Sequence, residues 1–298
     1  DAITKMAKEE LHCEAHAPFM HLAFLALTTS PKWKITDKGL VDANNYCVIP
    51  TIAEEYESDF MNYNEKYELI DLSQEIYQGM PVFGMHQKTF IMTNQTHEEN
   101  MKQTGSKTLG FSARNLLISE HGPTHSDAVW EYNPEGPTID KMDMKLFYGS
   151  AICVDLTHIR YPDYIEAKDL EEAVEKAGLT VEKGDIFLMY TGHYNRTYAK
   201  GDIEGYQNYY TGLSYEAAEW LAKKGVVNIG VDSSAIDQTP DDLDFSGHLV
   251  CGKYGMTNTE NLRNLDLVAG KRFFYMGLPL RIRDGSGSPV RAVALVEK

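Results

Sequence analysis

The chain has 298 residues, which is enough for one large domain with an appendage. Hydrophobic residues make up 43% and charged residues 24%, an ordinary balance for a globular protein. The formal net charge of −16 argues against nucleic acid and against anionic lipid as partners, because both bind net basic surfaces. An acidic chain can still bind a divalent cation, for which carboxylates are natural ligands.

The cysteines form neither a metal-binding pattern nor a disulfide pattern. They are Cys13, Cys47, Cys153 and Cys251. None belongs to a CxxC pair, so the spacing indicates separate core thiols in a reducing compartment. The longest apolar run, at 18–27, is interrupted by His21 and is too short to span a bilayer. It follows an acidic segment, unlike a signal peptide, so we expect a cytoplasmic protein, with a leader trimmed before Asp1 left open.

Residues 1–65 are predicted to form a helical N-terminal extension. Apolar residues recur at helical spacing at 11–27, and a second, more acidic helix is predicted at 51–63. His12 and His16 are four residues apart, but the glutamate between them is misplaced for an HExxH site and a proline soon interrupts the helix. We interpret both, together with His21, as surface or core histidines. The extension is expected to pack on the main domain or on a partner subunit.

Residues 66–298 are predicted to form one α/β domain with a mixed β-sheet core and flanking helices. Compact runs rich in β-branched or aromatic residues occur at 67–73, 113–119, 150–158, 185–191, 226–233, 272–282 and 291–296. The segments 167–178 and 214–225 have apolar residues at helical spacing and end in glycine. Strands that alternate with helices favour this fold class. The segment GSGSP at 285–289 is predicted to be a hairpin turn between the last two strands.

The segment HGPTHSDAVWE at 121–131 carries the strongest functional signal. A proline after Gly122 favours an extended backbone, in which residues two apart project to the same side. His121, His125 and Asp127 are separated by even steps, so one short segment can bring two imidazoles and a carboxylate to one point. That set suits Zn²⁺ or Mn²⁺ with positions left for water and substrate. Glu131 follows at another even step. The same residues can also cap turns without binding a metal.

HGPTHSD resembles the HxGTHxDxPxH signature of the cyclase family of metal-dependent hydrolases, which includes bacterial kynurenine formamidases and isatin hydrolase. The resemblance continues in order along the chain, in YELIDLSQEIYQGMPVF, GPTIDKMDMKLFYGSAICVDL, GDIFLMYTGH, GHLVCGKYGMTNTENLRNLD and LPLRIRDGSGSPVRAVAL. It covers the chain from about residue 67 to the end. It implies a swivelling β/α/β-like arrangement for residues 66–298, and a homodimer or higher homo-oligomer.

The resemblance implies a role for individual residues. His121, His125 and Asp127 match the family's first metal ligands. His248 and Glu260 match residues that hold a second cation or serve catalysis. Three positions depart from the signature. Pro123 stands in place of a glycine and Val129 in place of a proline, and Glu131 replaces the last histidine.

The predicted function is hydrolysis of an amide, cyclic amide or lactone bond in a small, possibly aromatic, substrate. A cation at the signature would polarise the carbonyl and activate a water molecule, with Zn²⁺ favoured over Mn²⁺. Glu260 and His248 are the first candidates for proton transfer and Glu131 the next. Trp130, Phe83 and Met85 are predicted to form an apolar wall, and His193 is a weaker candidate for contacting substrate.

Two narrower or different functions stay open at this point. One is an arylformamidase acting on N-formylkynurenine. The other is a non-catalytic protein that binds a metal or a small molecule. A serine hydrolase and a nucleotide-binding module are disfavoured, because the chain has no GxSxG, P-loop or GxGxxG motif.

Overall fold

The computed structural model describes residues 63–238 and 245–298, together with the backbone of three short strands nearer the N-terminus. Contacts divide the chain into two units, Asp1–Lys66 and Tyr67–Lys298. In the first unit the strands β1 (Lys34–Thr36), β2 (Gly39–Val41) and β3 (Cys47–Pro50) form an antiparallel sheet. The two helices predicted within residues 1–65 lie outside the described residues except at Tyr63, where the short helix α1 (Tyr63–Lys66) begins.

The second unit alternates strands with helices, as predicted. Its strands are β4 (Tyr67–Asp71), β5 (Phe90–Gln95), β6 (Ala113–Leu117), β7 (His125–Asp127), β8 (Tyr148–Asp155), β9 (Ile186–Tyr190), β10 (Asn228–Val231), β11 (Thr257–Glu260), β12 (Arg272–Met276), β13 (Gly287–Pro289) and β14 (Val293–Glu297). Its helices are α2 (His97–Thr104), α3 (Ala167–Lys176), α4 (His193–Arg196), α5 (Ile203–Asn208), α6 (Tyr215–Lys224) and α7 (Ser246–Tyr254). Short 3-10 turns connect several of them, including Val129–Glu131.

Nine of these strands form one mixed sheet in the order β13-β7-β11-β10-β9-β8-β12-β14-β4. The central strands β11, β10, β9 and β8 are parallel, and the strands on both sides of them pair antiparallel. This confirms the predicted mixed α/β fold. Strands β5 and β6 form a separate antiparallel pair.

Both faces of the central strands are buried, because the chain packs against each of them. On one face, Phe187 and Ile229 belong to a core that includes Leu170 of α3 and Leu221 of α6. On the other face, Leu188 packs in a second core with Leu262 and Tyr275. Strands covered on both faces read as nearly continuous apolar runs, which explains why β8 and β9 were readily predicted.

The two long helices of this layer begin and end where the sequence indicates. The side chain of Ser214 accepts a hydrogen bond from the Ala217 amide and caps the start of α6, and Gly225 ends it in the left-handed conformation. At the start of α3 the Asp169 carboxylate accepts from the Glu166 amide at 2.8 Å. None of the helices among residues 63–238 and 245–298 combines the length and apolar character needed to cross a bilayer.

The prediction of a hairpin turn at 285–289 is wrong for residues 287–289. Gly287–Pro289 is strand β13, which pairs antiparallel with β7 at the edge of the large sheet. The composition of this segment is typical of turns. It is extended here because β7 would otherwise present an unpaired edge, and Ser288 and Gly287 are small enough to lie buried against it.

Close packing beside β10 gives a first testable prediction. A Cβ atom on Gly212 would lie 2.0 Å from the backbone carbon of Asp237, whereas a Cβ atom on Gly84 would meet nothing within 4 Å. Gly212→Ala should therefore lower the free energy of unfolding by about 1–3 kcal/mol, the usual cost of overpacking. Gly84→Ala is the matched control and should change it by less than about 0.5 kcal/mol. Urea denaturation of both variants measures the difference, and equal values would contradict the close approach.

Candidate functional site

The segment predicted to be extended is strand β7, held between β11 and β13. Side chains alternate along a strand, so His125 and Asp127 share a face. Ser126 lies on the other face, where its hydroxyl is 2.7 Å from Thr259 Oγ1. The predicted extended backbone is confirmed, and it carries two of the three signature donors to one side of the sheet.

A first cluster of donor atoms forms around one oxygen of Asp127. His121 Nδ1 lies 2.7 Å from Asp127 Oδ1, and His125 Nε2 lies 3.4 Å from the same oxygen. All three side chains are buried, and one donor atom from each lies within 4.8 Å of the others. Two imidazole nitrogens and a carboxylate oxygen at these distances can act as ligands of one metal ion.

A second cluster uses the other oxygen of Asp127. His248 comes from α7 and Glu260 from the end of β11, where the central parallel strands terminate. His248 Nε2 lies 3.4 Å from Asp127 Oδ2 and 3.1 Å from Glu260 Oε1. Asp127 is thus shared between the two clusters. The donor side chains of both clusters meet at one end of the sheet, although His121 and Glu260 are 139 positions apart in the sequence.

Each imidazole is held by a partner on the nitrogen that points away from the clusters. His125 Nδ1 lies 2.9 Å from the carbonyl oxygen of Pro123, and His248 Nδ1 lies 2.7 Å from Asp237 Oδ2. His121 Nε2 lies 2.8 Å from Ser286 Oγ. These oxygens accept the ring N–H, so the remaining nitrogen of each ring is the one that faces the clusters and can ligate a metal once it is unprotonated.

The Ser286 hydroxyl is itself oriented. It donates to Glu120 Oε2 at 2.8 Å, and the Ser286 amide donates to the same oxygen at 2.9 Å. The hydroxyl oxygen therefore keeps a lone pair for the N–H of His121. This chain of contacts fixes which nitrogen of His121 faces the site.

The histidines differ in charge because their surroundings differ. Burial lowers the pKa of His125 to about 4, which keeps this ring neutral. Burial also lowers the pKa of His121, but the charge and hydrogen bond of Asp127 outweigh it and raise the pKa to about 9. Burial also lowers the pKa of His248, but the negative charges of Asp237 and Glu260 outweigh burial, so the pKa of His248 is raised above its usual value. A cation that binds here must displace protons from His121 and His248.

Glu131 lies at the same cavity, on the 3-10 turn that follows β7. Its Oε1 is 3.7 Å from His121 Nδ1. Its Oε2 is buried and has no hydrogen-bond partner among the described residues. Burial, followed by the negative charge of Asp127, raises the pKa of Glu131 to about 9. Burial likewise raises the pKa of Glu260, to about 7.

These donors fit a divalent cation. Three carboxylates converge here, and two of them have raised pKa values, because they are buried and lie close to the negative charge of Asp127. Neither lysine nor arginine lines the cavity within the described part of the chain. Carboxylate and imidazole donors whose outer atoms are already hydrogen-bonded are what Zn²⁺ and Mn²⁺ require.

Side chains of both clusters line a cavity of about 320 Å³. Apolar and aromatic side chains line the same cavity, namely Pro81, Val82, Phe83, Met85, Tyr132 and Phe245. The ring centroid of Tyr132 is 4.6 Å from that of His248 and 5.3 Å from that of Phe245. A partly open cavity of this size, lined by both apolar and polar groups, suits one small molecule with a ring.

The residues predicted to contact substrate lie in different places. Phe83 lines the cavity, and the exposed Met85 lies at its rim. Trp130 is 42% exposed and is not part of the cavity wall, because the 3-10 turn directs it away from its neighbour Glu131. His193 is buried behind the wall, with Nε2 2.9 Å from the carbonyl oxygen of Tyr206.

Several residues of the site were not predicted. Asp237 and Ser286 orient two of the imidazoles, and Asn258 donates to carboxylates of the second cluster. His86 lines the cavity, with its ring centroid 4.9 Å from that of His121. Of these, Asn258 had a usable signal, because it precedes Glu260 by two positions and so shares its face of an extended strand.

Comparison with known proteins gives different matches for the two parts of the chain. Residues 70–238 match the family described as putative cyclase. Kynurenine formamidase of Bacillus thuringiensis (strain Al Hakam) is 30% identical over 226 residues, which is 76% of this chain and 96% of that protein. The Bacillus cereus (strain ATCC 14579) kynurenine formamidase is 29% identical over 226 residues, again 76% of this chain and 96% of that protein.

Residues 1–47 match the adenine deaminase C-terminal domain. Adenine deaminase 1 of Carboxydothermus hydrogenoformans is 62% identical over 48 residues, which is 16% of this chain. The chain spans only 8% of that protein's length.

Solved structures have a similar fold over most of the chain. An isatin hydrolase bound to the product analogue thioisatinate has a TM-score of 0.71 at 19% identity, covering 83% of this chain and 100% of that one. Isatin hydrolase A from Ralstonia solanacearum has a TM-score of 0.69 at 22% identity, covering 85% and 100%. Likeness at such identities concerns the fold.

Proposed function

This chain belongs to the putative cyclase family and is a metal-dependent hydrolase, and on that premise we propose that it cleaves an amide, cyclic amide or lactone bond in a small aromatic substrate. The proposed ligands of its divalent cation are His121, His125 and Asp127. Zn²⁺ is the first choice of ion and Mn²⁺ the second, because imidazole and carboxylate donors suit both.

The observation that carries this proposal is the orientation of the three imidazoles. The outer nitrogens of His121, His125 and His248 each have a hydrogen-bond acceptor, so the three inward nitrogens converge on Asp127. The inward nitrogens of His121 and His125 face carboxylates, and that of His248 faces carboxylates and the Asn258 amide. Imidazoles held in this way by an acceptor on the outer nitrogen are typical of a metal centre.

The reaction needs an activated water molecule and a route for its proton. A divalent cation bound there polarises the carbonyl, lowers the pKa of a water molecule, and lowers the pKa values of neighbouring carboxyl groups. Glu131 Oε2 is buried at the cavity without a hydrogen-bond partner among the described residues. In the proposal, Glu131 accepts the proton that water loses as it adds to the carbonyl carbon, and then donates it to the leaving nitrogen or oxygen.

Glu260 and His248 are less free to carry that proton. Glu260 Oε1 accepts hydrogen bonds from the Ile236 amide and from Asn258, both at 3.0 Å. His248 is fixed by Asp237. Their proposed role is to hold the second cluster and to orient Asp127, so Glu131 is placed first for proton transfer.

The substrate class follows from the shape of the cavity. Phe83, Tyr132 and Phe245 provide aromatic surface in the cavity that the donor clusters line, and about 320 Å³ limits the ligand to a small molecule. An arylformamidase activity is the narrower version of the proposal, favoured by relatives named kynurenine formamidase. A cytoplasmic location and a homo-oligomeric assembly, expected from the sequence, are also proposals.

Chelation tests the proposal and separates an enzyme from a non-catalytic binder. We expect protein dialysed against a chelator to lose hydrolysis of a panel comprising N-formylkynurenine, isatin and an aromatic lactone. Addition of Zn²⁺ or Mn²⁺ should restore turnover of at least one member. Restored metal content without hydrolysis of any of them would favour the binder. Full hydrolysis by metal-free protein would contradict the proposed metal dependence.

A further inference from the structure

The side-chain amide of Asn258 lies inside the second donor cluster. Asn258 Nδ2 donates to Asp127 Oδ2 at 2.5 Å and to Glu260 Oε1 at 3.0 Å. The same nitrogen is 3.4 Å from His248 Nε2. One amide nitrogen is therefore in contact with a donor atom of every member of the cluster. Asn258 is buried on β11 and has no freedom to move into solvent.

The second cluster has the spacing of metal ligands. His248 Nε2 lies 3.4 Å from Asp127 Oδ2 and 3.1 Å from Glu260 Oε1. A cation bound by all three atoms would be about 2.0–2.2 Å from each of them. It would then touch the amide and face its positively polarised N–H groups. The amide and a cation compete for the same space and for the same lone pairs.

The first cluster is unaffected by this amide. Asn258 donates to Oδ2 of Asp127, whereas His121 and His125 approach Oδ1. Glu131 Oε1 lies 3.7 Å from His121 Nδ1, and its Oε2 has no hydrogen-bond partner among the described residues. The two clusters share Asp127, yet the amide lies among the donor atoms of the second and bonds the oxygen of Asp127 that the first does not use.

We propose that Asn258 occupies the second of the two donor clusters and thereby limits the protein to one divalent cation, held at His121, His125 and Asp127. The inference rests on the proposed metal-dependent function and specifies its metal content. Asn258 is a positioning residue in this scheme, because its amide holds Asp127 and Glu260 in place of a second ion.

Metal content after saturation tests the inference without any assay of activity. Wild type would be loaded with excess ZnCl₂ or MnCl₂, freed of unbound ion by gel filtration, and analysed for metal per chain. We expect one ion per chain. Two ions per chain in the wild type would overturn the role of Asn258 and leave the metal-dependent function standing. No ion in the wild type would overturn both.

Substitutions test the cause of the limit. Asn258→Ala removes the amide, and Asn258→Asp keeps its shape while replacing the N–H donors with an acceptor. We expect each variant to bind two ions per chain. Asn228→Ala is the matched control, because Asn228 is equally buried on the neighbouring strand and its amide donates to the Leu146 carbonyl oxygen instead. It should retain one ion.

The variants also distinguish an amide that excludes a second ion from an amide that binds one through its oxygen. If the amide turned so that its oxygen were a ligand, Asn258→Ala would bind fewer ions than wild type or bind them more weakly. One ion or none in the folded Asn258 variants would therefore contradict the inference. Folding is checked by thermal denaturation, and the wild-type measurement decides the stoichiometry even if one variant fails to fold.

Discussion

Replacing His125 by alanine is expected to remove the bound cation and abolish turnover. Its Nε2 faces Asp127 Oδ1, and its low pKa of about 4, caused by burial, supplies a neutral ring at neutral pH. The loss of metal affinity should exceed the roughly 10–100-fold that removal of a supporting residue costs. Metal analysis after gel filtration and steady-state kinetics measure the two effects.

A second buried histidine provides the control for this change. His193 is as buried as His125, but its ring donates a hydrogen bond to the Tyr206 carbonyl oxygen and lies behind the cavity wall. His193→Ala should lose stability yet keep its cation. Full metal occupancy and a near wild-type rate in His125→Ala would show that His125 is not a ligand. Equal metal loss in both variants would show that the effect comes from lost packing.

Glu131→Gln is expected to lower the hydrolysis rate by about 100-fold or more at saturating metal, the usual scale for loss of a general acid or base. The amide keeps the shape of the carboxyl group but cannot take up a proton. Glu131 is placed for that role because its Oε2 is buried at the cavity without a partner among the described residues. Steady-state kinetics on a metal-loaded sample measure the change.

The exposed Glu135, on the loop that follows, supplies the matched control. Glu135→Gln removes one negative charge nearby without touching the cavity, so its rate should stay within a few-fold of wild type. The same small effect in Glu131→Gln would refute the assignment of Glu131. A rate loss accompanied by metal loss would instead make Glu131 a ligand.

The parts of the fold that local sequence determines were predicted correctly. Strands β8 and β9 are buried on both faces and read as apolar runs, and α3 and α6 have capping residues and an apolar face. Strands β11 and β13 were not predicted as strands, because TNTE has no apolar residue and GSP consists of residues typical of turns. Their neighbours in the sheet fix their conformation, and no local pattern records that.

The same distinction applies to the site. The even steps from His121 to Asp127 and the extended backbone of β7 could be predicted, because both are local. The roles of Asp237 and Ser286 could not be predicted, because no local pattern links them to their histidines. Asp237 is 11 positions from His248, and Ser286 is 165 positions from His121. Trp130 was expected in the cavity wall from its place in the signature, but the tight turn at 129–131 directs it outward.

The dependence of His121 on β13 bears on the order in which the protein folds during synthesis. A growing chain that ends at Glu260 already contains every donor atom of both clusters. His121 still lacks the Ser286 hydroxyl that orients its ring, and β7 still lacks its outer partner strand. Contacts between such distant positions form late, because loop closure must precede them. We therefore expect the cation to bind to a nearly finished chain, and products that stop before Ser286 to carry the donors without an ordered centre.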